Sequence, residues 1–254
     1  MTPYISDFLC YGLDTLPPLT SPPPSPSLPA SKMTYLRDGN QARVQPEHSD
    51  AMARYRSYQH TFSAWTSTVV RRLSEDALQD CAQRLGTAND GQLVGFAQQE
   101  WPVLLDFALY CHRLAGESAV QRLHAETIQV DGSVDGMLDA MTDTRVQVLD
   151  IEEAIAGMGF RAMDVWSGEP VEIMEPDHAG HLEAGDRLVC RAIPLADMTL
   201  TTGLLLPLSD AGLFRLVDEL DASRVDPLGL SAPTAKDEYA RVVYRCALDD
   251  RTKT

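Results

Sequence analysis

A chain of 254 residues, 44% of them apolar, suits one large domain or two small ones and is too apolar to be disordered throughout. Its formal net charge of −16 repels phosphate backbones and anionic lipids, which argues against direct nucleic-acid or membrane-surface binding. Nowhere do about 18 apolar residues run consecutively, and Met1–Leu9 lacks the basic n-region of a signal peptide, so a cytoplasmic protein is expected.

The five cysteines (Cys10, Cys81, Cys111, Cys190, Cys246) are scattered, with no Cys-x-x-Cys pair, and read as reduced and mostly buried thiols. Leu16–Pro29 is too dense in proline for helix or sheet. It reads as a disordered tail or a stretch upstream of a true start at Met33. The functional alternative is a docking segment for an SH3-like or WW-like partner.

From about Ala51 the period is helical, with Tyr55, Tyr58, Phe62, Trp65, Val69 and Leu73 on one stripe. Ser74 followed by Glu75 and Asp76 marks a second helix start, and Gly86 its stop. A third apolar helix is expected over about Gln92–Ala115 with a break near Glu100, because Pro102 sits badly inside it. A fourth is expected over Val134–Thr142. From Thr144 the period shifts towards two. Strands are expected from Val146 to Ile151, then over Phe160–Val165, Pro170–Met174, Arg187–Pro194 and Thr199–Leu206, with turn residues between them. Ser209 caps a helix carrying Leu213, Phe214, Leu216, Val217 and Leu220, and Lys236–Leu248 reads as a last helix.

The fold class expected is α+β. A helical N-terminal half precedes a small five-stranded antiparallel meander or half-open barrel with a packed C-terminal helix. The divisions are 1–45 (Pro-rich head), 46–143 (helical), 144–208 (β) and 209–254 (C-terminal helices and tail).

The phrases Asp164-Val165-Trp166-Ser167-Gly168-Glu169-Pro170-Val171-Glu172-Ile173 and Leu182-Glu183-Ala184-Gly185-Asp186-Arg187, the latter running on through Arg191-Ala192-Ile193-Pro194-Leu195, are distinctive. They resemble a β domain of uncharacterised bacterial proteins in which a helical region precedes the strands. Some of those proteins end in a SEC-C zinc motif, and its cysteine cluster is absent here. The resemblance covers about residues 95–208 and implies a fold but no activity.

Several constellations are candidates for chemistry. Asp131, Ser133, Asp135, Gly136 and Asp139 match the first nine positions of a calcium-binding EF-hand loop, but Thr142 stands where a bidentate Glu belongs. The plainer reading is a turn. His178 and His181, with Asp177 and with Glu175 or Glu183 nearby, have metal-ligand chemistry on a loop between strands, and the plainer reading is a solvated loop. Cys111 and His112 are neighbours on a helix and diverge by about 100°, so they cannot pair with each other. No cofactor is expected.

From Glu126 to Asp186 fifteen Asp or Glu face only Arg145 and Arg161. Such a surplus is a solvated face, an attractor for a basic protein partner, or an imitation of a phosphate ladder. The reading carried forward is a non-enzymatic accessory protein that uses this surface, with Trp166, Glu169, Glu172 and Glu175 as contact residues. An enzyme with a pocket between the helical and β halves, and a DNA-mimic inhibitor, are the alternatives.

Overall fold

Capping chemistry sets most helix boundaries. In the computed structural model, which describes residues 46–87, 100–131 and 136–251, helix α1 spans Pro46–Val70 and α2 spans Glu75–Leu85. The Ser74 hydroxyl accepts from Ala77 N at 3.2 Å, and Gly86 ends α2 with φ of 74°. Helix α3, Trp101–Tyr110, carries Pro102 in its first turn, where no backbone donor is lost. The expected continuation to Ala115 is corrected. Helix α3 stops at Tyr110, and the chain reverses through Ala115 and Gly116, both at positive φ.

Helix α4, Ala119–Asp131, was not among the expected elements. Its signal is a capping box: Gln121 N donates to Ser118 Oγ, and Gln121 Oε1 accepts from Ser118 N. Helix α5 follows at Gly136–Thr142, α6 at Asp210–Ser223 and α7 at Pro233–Arg251. The Pro-rich head (1–45), the first part of the expected third helix and residues 132–135 lie outside the described residues.

The five expected strands form as β1 (Arg145–Ile155), β2 (Gly159–Asp164), β3 (Pro170–Met174), β4 (Arg187–Pro194) and β5 (Thr199–Pro207). They close into a barrel in the order β1-β2-β3-β5-β4. All pairings are antiparallel except the seam, where β3 meets β5 in parallel at Ile173 and Thr199. Closure rather than an open meander follows from β1, which pairs with both β2 and β4. Bulges at Ile151/Glu153 and Cys190/Ala192 bend the two strands that must curl most. The result is an α+β fold built on a five-stranded Greek-key barrel of the OB kind.

Each strand serves two environments. One face of the strands, with Leu149, Ile151, Phe160, Ala162, Ile173, Leu188 and Cys190, fills the barrel. The other faces of β1, β4 and β5 carry Val146, Val148, Val189, Ile193, Leu200 and Leu206 into a core shared with the helices. That double burial leaves β4 apolar from Leu188 to Ile193 but for Arg191, and buries β1 on both faces from Val146 to Leu149, Gln147 included. The outer faces of β2 and β3 meet solvent and alternate. Residues Ala51–Thr254 make up one compact unit.

A buried ion pair ties the layers together. Asp106 of α3 meets Arg191 of β4 at 2.9 Å, and both side chains are 4% exposed. The Tyr244 hydroxyl of α7 donates to Asp106 Oδ2 at 2.6 Å, and Thr202 of β5 donates to Oδ1 at 3.0 Å. Arg191 also reaches Thr144 Oγ1 and Cys111 Sγ, and its guanidinium lies 4.3 Å from the Tyr110 ring centroid.

The hairpin between β1 and β2 requires glycine at 159. Its φ is 157°, and a Cβ there would lie 1.9 Å from the Ile173 carbonyl oxygen of β3.

Two stability predictions follow from these contacts. Asp106→Ala strands a buried guanidinium and should cost about 3–5 kcal/mol, read as a fall in urea midpoint at constant m. Tyr244→Phe removes one charge-assisted hydrogen bond and should cost about 1.5–3 kcal/mol in the same titration. If Asp106→Ala unfolds within about 1 kcal/mol of the wild type, the pair does not hold the layers as described.

Candidate functional site

On the solvent side of the barrel, β1, β2 and β3 place Glu153, Arg161 and Glu172 in one row across the sheet. Arg161 Nη1 bonds Glu153 Oε2 at 2.9 Å and its Nε bonds Glu172 Oε2 at 3.3 Å. The Glu172 hydrogen bond, then the charge of Glu153, hold this guanidinium above its ordinary value. Arg187 on β4 is likewise shared, between Asp150 at 2.6 Å and Asp210 at 2.9 Å. Burial pulls Arg187 down, but its hydrogen bonds to the two carboxylates outweigh that. Each of these two cations is therefore matched by two carboxylates, Arg161 on the exposed wall and Arg187, 15% exposed, on the β4 side. Glu152 and Glu169 are exposed beside them.

The proposed contact residues do not all lie on that wall. Glu169 and Glu172 are exposed, but Glu175 is 3% exposed, accepts from Thr201 Oγ1 and faces His178 Nδ1 at 3.1 Å. Its carboxylate is spent inside the fold. Trp166 is half-buried against the helix core, and its indole N–H donates to the Tyr239 hydroxyl at 2.6 Å. It braces the β2–β3 turn against α7.

At the junction of helices and barrel a hollow of about 120 Å³ is lined by Tyr110, Cys111, Arg113, Thr144, Arg145 and Arg191, among others. Arg113 there holds Asp237 of α7 through both Nε and Nη2. Cys111 and His112 diverge as their spacing requires. Cys111 Sγ lies against Arg191, whereas His112 Nε2 points towards Asp80 at 3.9 Å. Burial pushes the Cys111 thiol up to about 12, with Arg191 only partly opposing it. A neutral buried thiol is a poor nucleophile.

His178 and His181 flank a 3₁₀ turn at Ala179–His181 and line a separate cavity of about 690 Å³ at the other end of the barrel, with Asp186, Arg187 and Asp250. Asp177 is exposed. Among the described residues no group of three or more His, Cys, Asp or Glu is arranged to hold a metal. Of the EF-hand-like set, Ser133 and Asp135 and the side chain of Asp131 lie outside the described residues. Asp139 pairs with His124 Nε2 at 3.2 Å.

A cavity of about 740 Å³ opens at the barrel end where β1 begins, and Arg145, Gln147, Glu172, Thr199 and Lys236 line it. The sequence reading counted Arg145 only as a charge and gave Lys236 no role. Alternation along β1 puts Arg145 on the same face as Gln147 and Leu149, which is a legible signal once the barrel closes.

The model of a family of unknown function, DUF7986, matches residues 49–222, more than half the chain. The chain belongs to this family. No curated protein and no solved structure matches it. The family match takes in α2–α5, all five barrel strands and nearly all of α6, and ends before α7. No helix among the described residues is long and apolar enough to cross a membrane.

Burial also raises the thiols of Cys81 and Cys190 to about 12 and that of Cys246 to about 11. An unfolded thiol titrates near ~8.5, so these groups favour the folded state fully below that pH and progressively less as pH rises towards their folded values. The urea midpoint should therefore fall between about pH 8 and about pH 10.5. Iodoacetamide at about pH 8 should leave all four thiols unlabelled in the native protein and label them in urea. Rapid native labelling of Cys111 would restore it as a candidate nucleophile.

Proposed function

We propose that this protein is a non-enzymatic bacterial accessory protein that presents the outer β1–β2–β3 wall of its barrel to a basic protein partner. The observation that carries the reading is the row Glu153–Arg161–Glu172 across β1, β2 and β3, in which one exposed guanidinium is shared by two carboxylates. A wall built this way keeps a surplus of negative charge that its own arginines cannot cancel. Such a surface steers an oppositely charged partner and sets its orientation more than it supplies raw affinity.

The same geometry disfavours nucleic acid. OB-type barrels take oligonucleotides across the β2–β3 face and the β1–β2 and β4–β5 loops. Here that face carries Glu172 and Arg161, with Glu153 beside them on β1, and Asp197 of the β4–β5 loop is held by Arg54 and Tyr58 of α1. A phosphate-ladder imitation needs one continuous acidic face. The acids instead spread over helix α4, the barrel wall and both barrel ends, and Asp164 and Glu175 are buried. The enzyme reading drew on Cys111, His112, His178 and His181. Cys111 lines the junction hollow and the two histidines line the cavity at the other end of the barrel.

The test is capture from host lysate on the full chain, run beside a Glu153→Lys/Glu172→Lys double variant. A specific partner should be retained by the wild type and released as salt rises, because exposed charges are screened over ~8 Å at physiological ionic strength. The variant should retain it at least about tenfold less, equivalent to about 1.4 kcal/mol. Equal retention by both proteins would remove the wall as the contact surface.

A further inference from the structure

We propose that the barrel mouth is a binding site for a small organic anion, with a carboxylate or phosphate held by Arg145 and Lys236 and an apolar body against Val171, Pro194 and Leu230. The site does not depend on the acidic wall being an interface.

The cavity exists because the seam is short. Strands β3 and β5 pair only at Ile173 and Thr199, and Pro170–Glu172, which precede that pairing, line the opening with Pro194 and Thr199. Pro170 and Pro194 border the gap, and neither has an N–H with which to close it. The opening is about 740 Å³, which falls within the range of roughly 300–1,000 Å³ typical of small-molecule sites.

Its charges are poised differently from those of the wall. Arg145 is 43% exposed, and its nearest carboxylate, Asp164, lies 4.0 Å away. Asp164 is already satisfied. It accepts from Gln147 Nε2, from the backbone N–H groups of Trp166 and Ser167, and from Ser167 Oγ. Among the described residues Arg145 makes no hydrogen bond, so its planar fork of donors is open to a carboxylate or phosphate. Lys236 meets Asp143 at 3.2 Å, but that aspartate is 87% exposed and the pair is easily exchanged. The remaining acid at the rim, Glu172, is committed to Arg161. An entering anion thus finds one uncommitted guanidinium, one weakly held ammonium and the Thr199 hydroxyl, beside apolar surface. A net charge of −16 does not forbid this, since long-range repulsion is screened over ~8 Å whereas the two cations act at contact.

Calorimetric titration of the full chain with benzoate, phenyl phosphate and neutral benzamide tests the site. At least one anion should bind saturably and at least about tenfold more tightly than benzamide, and which anion wins distinguishes a carboxylate from a phosphate ligand. Arg145→Gln should weaken that anion by about tenfold or more, and Arg145→Lys should recover part of the loss. Because Arg145 is half-exposed and its ion pair with Asp164 is long at 4.0 Å, both variants should unfold close to the wild-type temperature, so lost binding cannot be ascribed to lost fold. As a control, Arg72→Gln, in an exposed pair with Glu126, should bind as the wild type does. Absence of saturable binding by either anion, equal binding of benzamide, or unchanged binding by Arg145→Gln would each overturn the proposal.

Discussion

Two opposite charges held out of water, Asp106 and Arg191, fix how the barrel sits against its helices. Moving either ion into the interior carries a desolvation cost of several kcal/mol, and the pair is tolerable only when nearly every donor and acceptor is satisfied. The partners that satisfy it come from different places in the chain: Thr144 ahead of β1, Thr202 on β5, Tyr244 on α7, and Tyr110 and Cys111 at the end of α3. A slip of β4 by one residue would turn Arg191 into the barrel and Asp106 would lose its counter-ion. The pair therefore does more to select one register than to add net stability, since well-packed apolar replacements of buried ion pairs are often as stable.

That constraint accounts for the way the barrel ends. Strands β1 and β4 are buried on both faces and held by long antiparallel pairings, so the side of the barrel against the helices is rigid. Strands β2 and β3 are held on one side by the β1 hairpin and on the other by a single parallel pairing. Looseness is thus placed at the seam. It is there that the 740 Å³ cavity opens, and there that the side chain of Arg145, at the first residue of β1, makes no hydrogen bond among the described residues. The small inner hollow behind it shares Asp143, Arg145, Ser231 and Lys236 with the mouth, so the two form adjoining spaces.

Local patterns were legible in the sequence where they were chemically self-contained. Ser74 and Gly86 bracket α2, Ser209 caps α6 through Gly212 N, and all five strand starts fall within a residue of their expected positions. What was missed has physical reasons. Helix α4 buries only Ala119, Val120 and Leu123 near its start and shows itself mainly through the reciprocal Ser118–Gln121 box. On α6, Phe214 and Val217 belong to the apolar set with Leu216 and Leu220 but are 72% and 39% exposed, because the helix buries only its Gly212, Leu216 and Leu220 side. The candidate sites were harder still. Asp106 lay in an apolar run and drew no notice, although a lone acid among Val103, Leu104, Phe107 and Ala108 demands a buried partner. Glu175 belonged by count to the acidic segment and lies by geometry inside it. Counting charges along a chain does not separate wall from interior, since alternation is broken by bulges such as that at Ile151 and Glu153.

Charge is partitioned by depth. Arg191 and Arg113 are buried or nearly so, and each is neutralised by one well-placed aspartate, Asp106 and Asp237. Arg161 on the wall is exposed and outnumbered two to one, and Arg187, only 15% exposed, is outnumbered likewise. Arg145 belongs to neither group: it lines the barrel mouth, and its carboxylate neighbour Asp164 is buried and 4.0 Å away. The β2–β3 turn takes one oxygen of that carboxylate, since Asp164 Oδ1 accepts from the backbone of Trp166 and Ser167 at 3.1 and 2.9 Å. The other, Oδ2, accepts from Gln147 and is the atom that faces Arg145. Closing that gap to a hydrogen bond would cost the long arginine side-chain entropy, which leaves the guanidinium for something that comes from outside.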